Sequence, residues 1–188
     1  QPLDRSTAGS IRPAMTPEGV RVFSAEFMTV PGDPLRWREP EGDAFVWRGA
    51  LEAGAVREML ADVAWGQLDL LLVDLPPGPA RLADLHGFVP GLRGVVAVTL
   101  PSDESLGAVR RSLLLARERG VPLLGVVENL VATVCPGCGD THPTFVGEAG
   151  SRLSAEFEIP VLARLPFHPS VGALDAMAAS VWAALGAA

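Results

Sequence analysis

From residue 94 onward, short valine- and leucine-rich runs alternate with longer stretches of helical periodicity. Residues 94–100 predict a buried strand and residues 102–119 a helix. Ser102 is placed to cap that helix, with Glu104 and Ser105 in the first turn and Gly120 closing it. Residues 121–127 predict the next buried strand. A helix is expected near 147–157, a strand at 161–165 and a last helix at 171–185. Buried strands alternating with helices predict an α/β fold, a parallel sheet flanked by helices and built from right-handed βαβ units.

The first third is less regular. Residues 1–19 carry turn formers and read as a loop. Val20, Val22, Phe23, Phe27 and Val30 predict a short strand or an irregular hairpin. Residues 31–42, rich in proline and charge, read as an exposed connection. Leu51, Ala55, Met59, Leu60 and Val63 share one face of an expected helix. That helix leads through Trp65-Gly66 into residues 68–73, which read as a buried strand ending in Asp74 and breaking at Pro76-Pro77-Gly78. Neither a repeat nor a domain boundary is visible, so residues 1–188 are expected to form a single domain. The start at Gln1 rather than Met suggests a trimmed or fragmentary N-terminus.

Charge and composition narrow the partners. A net charge of −7 disfavours nucleic acid and anionic membranes, which would repel the chain at long range. The apolar runs are near strand length, too short to span a bilayer. With no signal peptide visible, the expectation is a cytoplasmic protein. All 15 basic residues are arginine. A P-loop requires a lysine for the β/γ-phosphates, and the sequence contains none.

Ligands on parallel sheets bind at the carboxyl ends of the strands, where Asp74, Pro101, Asn129 and Pro166 are expected. An acid such as Asp74 suits nucleotide-bound Mg²⁺, and the Gly78 N–H suits a terminal phosphate; an acidic turn is the plainer alternative. Asn129 could present its amide to a purine edge or simply end a strand. Cys135 and Cys138, in a Cys-Pro-Gly-Cys turn, are too close in sequence for an ordinary bracing disulfide and suit metal binding or redox chemistry. Two thiolates supply half a tetrahedral set. His142 could add a ligand, although a surface role is the plainer reading. A second copy of the chain would complete a four-cysteine site by symmetry. His86 and His168 are isolated, Trp47 and Trp65 read as core, and Arg110, Arg111 and Arg117 as a solvated helix face.

In order along the chain stand Gly9-Ser10-Ile11, Trp47-Arg48-Gly49, Trp65-Gly66-Gln67-Leu68-Asp69, Asp74-Leu75-Pro76-Pro77-Gly78 and Val126-Val127-Glu128-Asn129. Cys135-Pro136-Gly137-Cys138-Gly139, Phe145-Val146-Gly147-Glu148 and Leu165-Pro166-Phe167-His168-Pro169 follow. This set resembles the Mrp/ApbC family of iron–sulfur cluster carrier P-loop ATPases over nearly the whole chain. The resemblance implies a three-layer, P-loop NTPase-like sandwich. It further implies a homodimer that bridges a labile [4Fe–4S] cluster between two Cys135/Cys138 pairs and serves apo iron–sulfur client proteins. ATP and Mg²⁺ would bind with Asp74 on the metal, Gly78 near the γ-phosphate, Asn129 near adenine, and Pro166 and Phe167 in the base pocket.

The departures from the family pattern are equally specific. The family's G-K-G-G-V-G-K-S/T loop has no counterpart here, so the resemblance implies a domain incomplete at its N-terminus and lacking the P-loop strand. Ser6 replaces an expected water-positioning aspartate, and Pro79-Ala80-Arg81 replaces Thr-Gly-Asp. The expectation is a cluster carrier or scaffold that does not hydrolyse ATP alone. The alternative is a catalytically inactive structural module that holds Zn²⁺ at the same cysteines.

Overall fold

A computed structural model describes residues 11–28, 54, 56–76, 78–89 and 91–187. Contacts divide the chain into two compact units, residues 1–74 and 75–188. The expectations resting on Asp4, Ser6, Gly9, Ser10, Trp47-Arg48-Gly49 and Pro77, and on residues 31–42, fall outside the described residues.

In the first unit, β1 (Ala14–Met15) pairs antiparallel with β2 (Arg21–Val22), followed by a 3-10 turn at Ala25–Met28. The expected hairpin is therefore present, but it begins inside the stretch read as loop. Gly19, at φ 88°, makes its turn, and Gly19 N–H donates to Thr16 O at 3.0 Å. Residues 56–62 are helical, as the apolar spacing predicts, and Val63 bridges to Ile11. Trp65 packs edge-on against Phe23 at 6.5 Å, in keeping with a core role.

Residues 68–73 correct the sequence reading. They belong to no strand, and Leu72 remains 80% exposed. The apolar run carries the composition of a buried strand. A strand, however, exists only where a neighbour takes up its N–H and C=O groups, and that pairing is not encoded in the run itself.

The second unit is the α/β layer structure the sequence predicts. β3 (Val95–Thr99), β4 (Leu123–Asn129) and β7 (Val161–Leu165) form a parallel sheet in the order β3-β4-β7. Five of the seven residues of the central strand β4 are buried. The helices are α1 (Pro79–Phe88), α2 (Asp103–Glu118), α3 (Ala149–Phe157) and α4 (Val171–Ala187).

Ser102 caps α2, its hydroxyl accepting the Ser105 N–H at 3.3 Å, and Asp103 and Glu104 in the first turn complement the helix dipole. Leu106 and Leu113 of α2 meet Val126, Leu153 and Phe157 in one buried cluster. Fully burying a side chain such as Leu113 or Leu153 contributes about 1.5–3 kcal/mol. Arg110, exposed on the solvated face as read, reaches across to Glu156 at 2.6 Å. Arg117 lies 4.7 Å over the Phe157 ring and donates to Phe157 O, so it too binds α2 to α3.

Helix α1 was not anticipated. Its signals are Pro79 at the first helical position and Leu82 and Leu85, three apart and both buried.

Candidate functional site

The crossover from β4 to β7 contains more than a helix. Directly after β4 the chain forms a small antiparallel hairpin, β5 (Ala132–Val134) and β6 (Thr141–Pro143), before entering α3. Its tip is Cys135-Pro136-Gly137-Cys138-Gly139-Asp140. The Gly139 N–H donates to Cys135 O at 2.9 Å and the Cys135 N–H to Asp140 O at 2.8 Å, closing the turn. Gly139 sits at φ 78°, a conformation an L side chain would strain.

Both cysteines are free thiols, Cys138 exposed and Cys135 partly so. The backbone N–H of Cys138, then that of Gly137, then the Cys138 thiol point to the Cys135 sulfur and hold its pKa below the usual thiol value. Burial opposes the shift and is the smallest influence. Such N–H···S donors stabilise a thiolate, the form that ligates metal. The hairpin therefore prepares one sulfur as a ligand and leaves the second beside it, at a tip accessible to another molecule.

A second group of candidates assembles at the carboxyl ends of β4 and β7. Asn129 is paired in register with Leu165, so Pro166 and Phe167 emerge beside it. Two backbone bonds fasten this edge to the hairpin: Val131 N–H to Leu165 O at 2.9 Å and Phe167 N–H to Ala132 O at 2.8 Å. The Asn129 Oδ1 accepts the Leu130 N–H at 2.9 Å, which leaves the side-chain NH₂ as the group for a ligand. Phe167 is 50% exposed and meets His168 edge-on at 4.7 Å. An amide donor next to a half-exposed aromatic ring offers hydrogen bonding and apolar contact to a planar base.

The phosphate-side candidates are Gly78 and Asp74. Gly78 is the N-cap of α1 at φ 115° and ψ 155°, with no side-chain cap. A free helix N-terminus suits an anion, but Pro79 at the first helical position contributes no N–H. Asp74 is exposed on irregular backbone in the first unit. The 188 residues supply no lysine. These residues do not fit the phosphate half of a P-loop site, so no hydrolytic step is assigned to them.

A family model described as "ParA: NUBPL iron-transfer P-loop NTPase" matches residues 2–184. The chain belongs to this family. That agrees with the Mrp/ApbC resemblance of its motifs. An iron-sulfur cluster carrier protein of Saccharolobus solfataricus is 37% identical over 163 residues, which are 86% of this chain and 52% of that protein. Another of the same description, from Methanocaldococcus jannaschii, is 32% identical over 83% of this chain and 51% of its own length. The cytosolic Fe-S cluster assembly factor CFD1 of Yarrowia lipolytica is 36% identical over 68% of this chain and 45% of its own. The chain thus spans about half the length of these curated relatives. Among solved structures, a nucleotide-binding protein from Archaeoglobus fulgidus in complex with ADP aligns with a TM-score of 0.62 at 26% identity. The alignment covers 96% of this chain and 65% of that one. The α/β architecture is that of a P-loop nucleotide-binding protein.

Within this iron-transfer family chain, sequence reading passed over two residues. Glu128 read only as part of a strand end, yet it is buried and anchors α3: its Oε1 accepts the Gly150 N–H at 2.7 Å. Its Oε2 takes the Arg164 guanidinium at 3.1 Å, and Arg164 also donates to Ser151. The signal was an acid adjoining a run of buried β4 residues, which requires a partner. The other is Asp140, whose Oδ2 lies 3.2 Å from the Cys138 sulfur.

Proposed function

We propose that this chain carries iron–sulfur clusters, with a [4Fe–4S] cluster as cargo between the Cys135/Cys138 pairs of two copies. The observation that carries the reading is the pair of free thiols, Cys135 and Cys138, at the tip of an accessible hairpin. Two thiolates per chain are half the ligands a cubane cluster takes, and a two-fold axis through the tip supplies the others. The carrier and assembly-factor names of its relatives support the same reading. An exposed site suits cargo that must be accepted from one protein and surrendered to an apo client. The proposed location is the cytoplasm.

Nucleotide enters the proposal through the family, with Asn129, Pro166 and Phe167 as the residues proposed to meet a base. The same strand edge is bonded to the cysteine hairpin through Val131 and Phe167, a direct route by which a ligand at the base position would bear on the hairpin.

Anaerobic reconstitution with iron and sulfide tests the reading. The expected product is brown and holds about four irons per dimer. Cys138→Ser should not load. A protein first stripped of metal by chelator that still forms no brown product would favour the structural module instead and overturn the carrier reading.

A further inference from the structure

The cysteine hairpin holds a second set of ligands. The Cys138 thiol, an Asp140 carboxylate oxygen and a His142 imidazole nitrogen lie within 4.8 Å of one another, and all three residues are exposed. We propose that Cys138, Asp140 and His142 form a mononuclear site for a borderline divalent cation of the Zn²⁺ or Fe²⁺ type within a single chain.

The placement follows from the backbone. Asp140 directly precedes β6 and His142 lies within it, and the backbone there brings both side chains to the Cys138 sulfur. Gly139, at positive φ, turns Cys138 back toward them. A tetrahedral ion with metal–sulfur and metal–nitrogen or –oxygen bonds of the usual length holds its ligand atoms about 3.4–3.6 Å apart. The Cys138 sulfur is already 3.2 Å from Asp140 Oδ2, its proton directed at that oxygen. A dication replaces this proton: Cys138 S–H is broken, a metal–sulfur bond forms, and one H⁺ leaves to solvent. Thiolate and carboxylate together carry two negative charges and neutralise the ion, and neutral His142 supplies the third ligand. Three protein ligands leave a fourth position for water. One thiolate, one carboxylate and one imidazole select a borderline first-row cation over Mg²⁺ or Ca²⁺, which prefer oxygen alone.

The consequence is competition, and this part rests on the cluster-carrier reading. Cys138 belongs to both sites, so a chain holding the single ion cannot contribute that sulfur to a bridging cluster. A mononuclear ion would keep the protein monomeric.

Cobalt(II) is the probe, because its thiolate complexes absorb strongly. Titration of anaerobic, reduced protein should give a thiolate-to-cobalt charge-transfer band saturating at one Co²⁺ per chain, in the monomer. Cys135→Ser should retain the band; Cys138→Ser and His142→Ala should lose it, with far-UV circular dichroism unchanged. Loss of the band in Cys135→Ser, or its full retention in His142→Ala, would overturn the proposal. The readout uses neither sulfide nor a dimer. It therefore succeeds or fails independently of cluster reconstitution, which tests the carrier reading.

Discussion

The Glu128 carboxylate accepts the backbone N–H of Gly150 at 2.7 Å, joining the end of the central strand β4 to the first turn of α3. One of the unpaired N–H groups of that helix is thereby satisfied by a buried anion at the positive end of its dipole. The contact leaves no room for a side chain at residue 150, where a Cβ would stand 2.9 Å from the Glu128 Cδ. It joins the two ends of the segment between β4 and α3 that carries the cysteine hairpin.

Two substitutions at Glu128 separate its two partners. Glu128→Ala leaves the Gly150 N–H without its acceptor and is expected to cost about 1–3 kcal/mol. Glu128→Gln keeps an oxygen for Gly150 and loses the charge that faces half-exposed Arg164, so its expected cost is the smaller of the two. Denaturant unfolding measures both. Equal losses would show that the Gly150 bond does not carry the contribution assigned to it.

The sequence made most of this unit legible because its signals are local. Ser102 announced its helix through a capping side chain, and residues 161–165 announced β7 through an apolar run bounded by Pro160 and Pro166. Residues 68–73 misled for the opposite reason, since strand pairing depends on a distant partner. Helix α1 escaped notice because Pro76-Pro77-Gly78 reads first as a break, though proline at a helix start is favourable. At the site, the Cys135/Cys138 spacing was visible at once. Asp140 was not, because its place beside Cys138 depends on the left-handed turn at Gly139.

Cys135 should titrate below an ordinary thiol. Its thiolate is favoured first by the Cys138 N–H, then the Gly137 N–H, then the Cys138 thiol. Alkylation of metal-free, reduced Cys138→Ser protein by iodoacetamide, followed at Cys135 against pH, should therefore rise at a lower pH than for a thiol in an unfolded control. Because the folded value is depressed, the thiolate contribution to stability is present above the unfolded pKa and disappears as pH falls through the folded one. A Cys135 profile superimposing on the unfolded control would contradict the backbone cradle.

The exposed apolar run at 68–73 should promote self-association, as unpaired apolar segments do. Leu72→Glu is expected to raise the monomeric fraction of metal-free protein in light scattering without altering its circular dichroism. Unchanged association would place the sticky surface elsewhere.

The 188-residue chain on its own is expected not to turn over ATP. A lysine on the phosphates is missing from the 188 residues, and Pro79 withdraws an N–H at the start of α1. Groups of this kind are each worth roughly 10²–10³ in rate. Magnesium-dependent phosphate release that co-purifies with the chain through successive columns would contradict this.

Sedimentation velocity of the reconstituted protein, detected at the cluster's visible absorbance, tests the central claim most directly. With the cluster shared between two Cys135/Cys138 pairs, all visible absorbance should sediment at twice the mass of the 19.7 kDa chain. Cluster absorbance travelling with the monomer would contradict the bridging site.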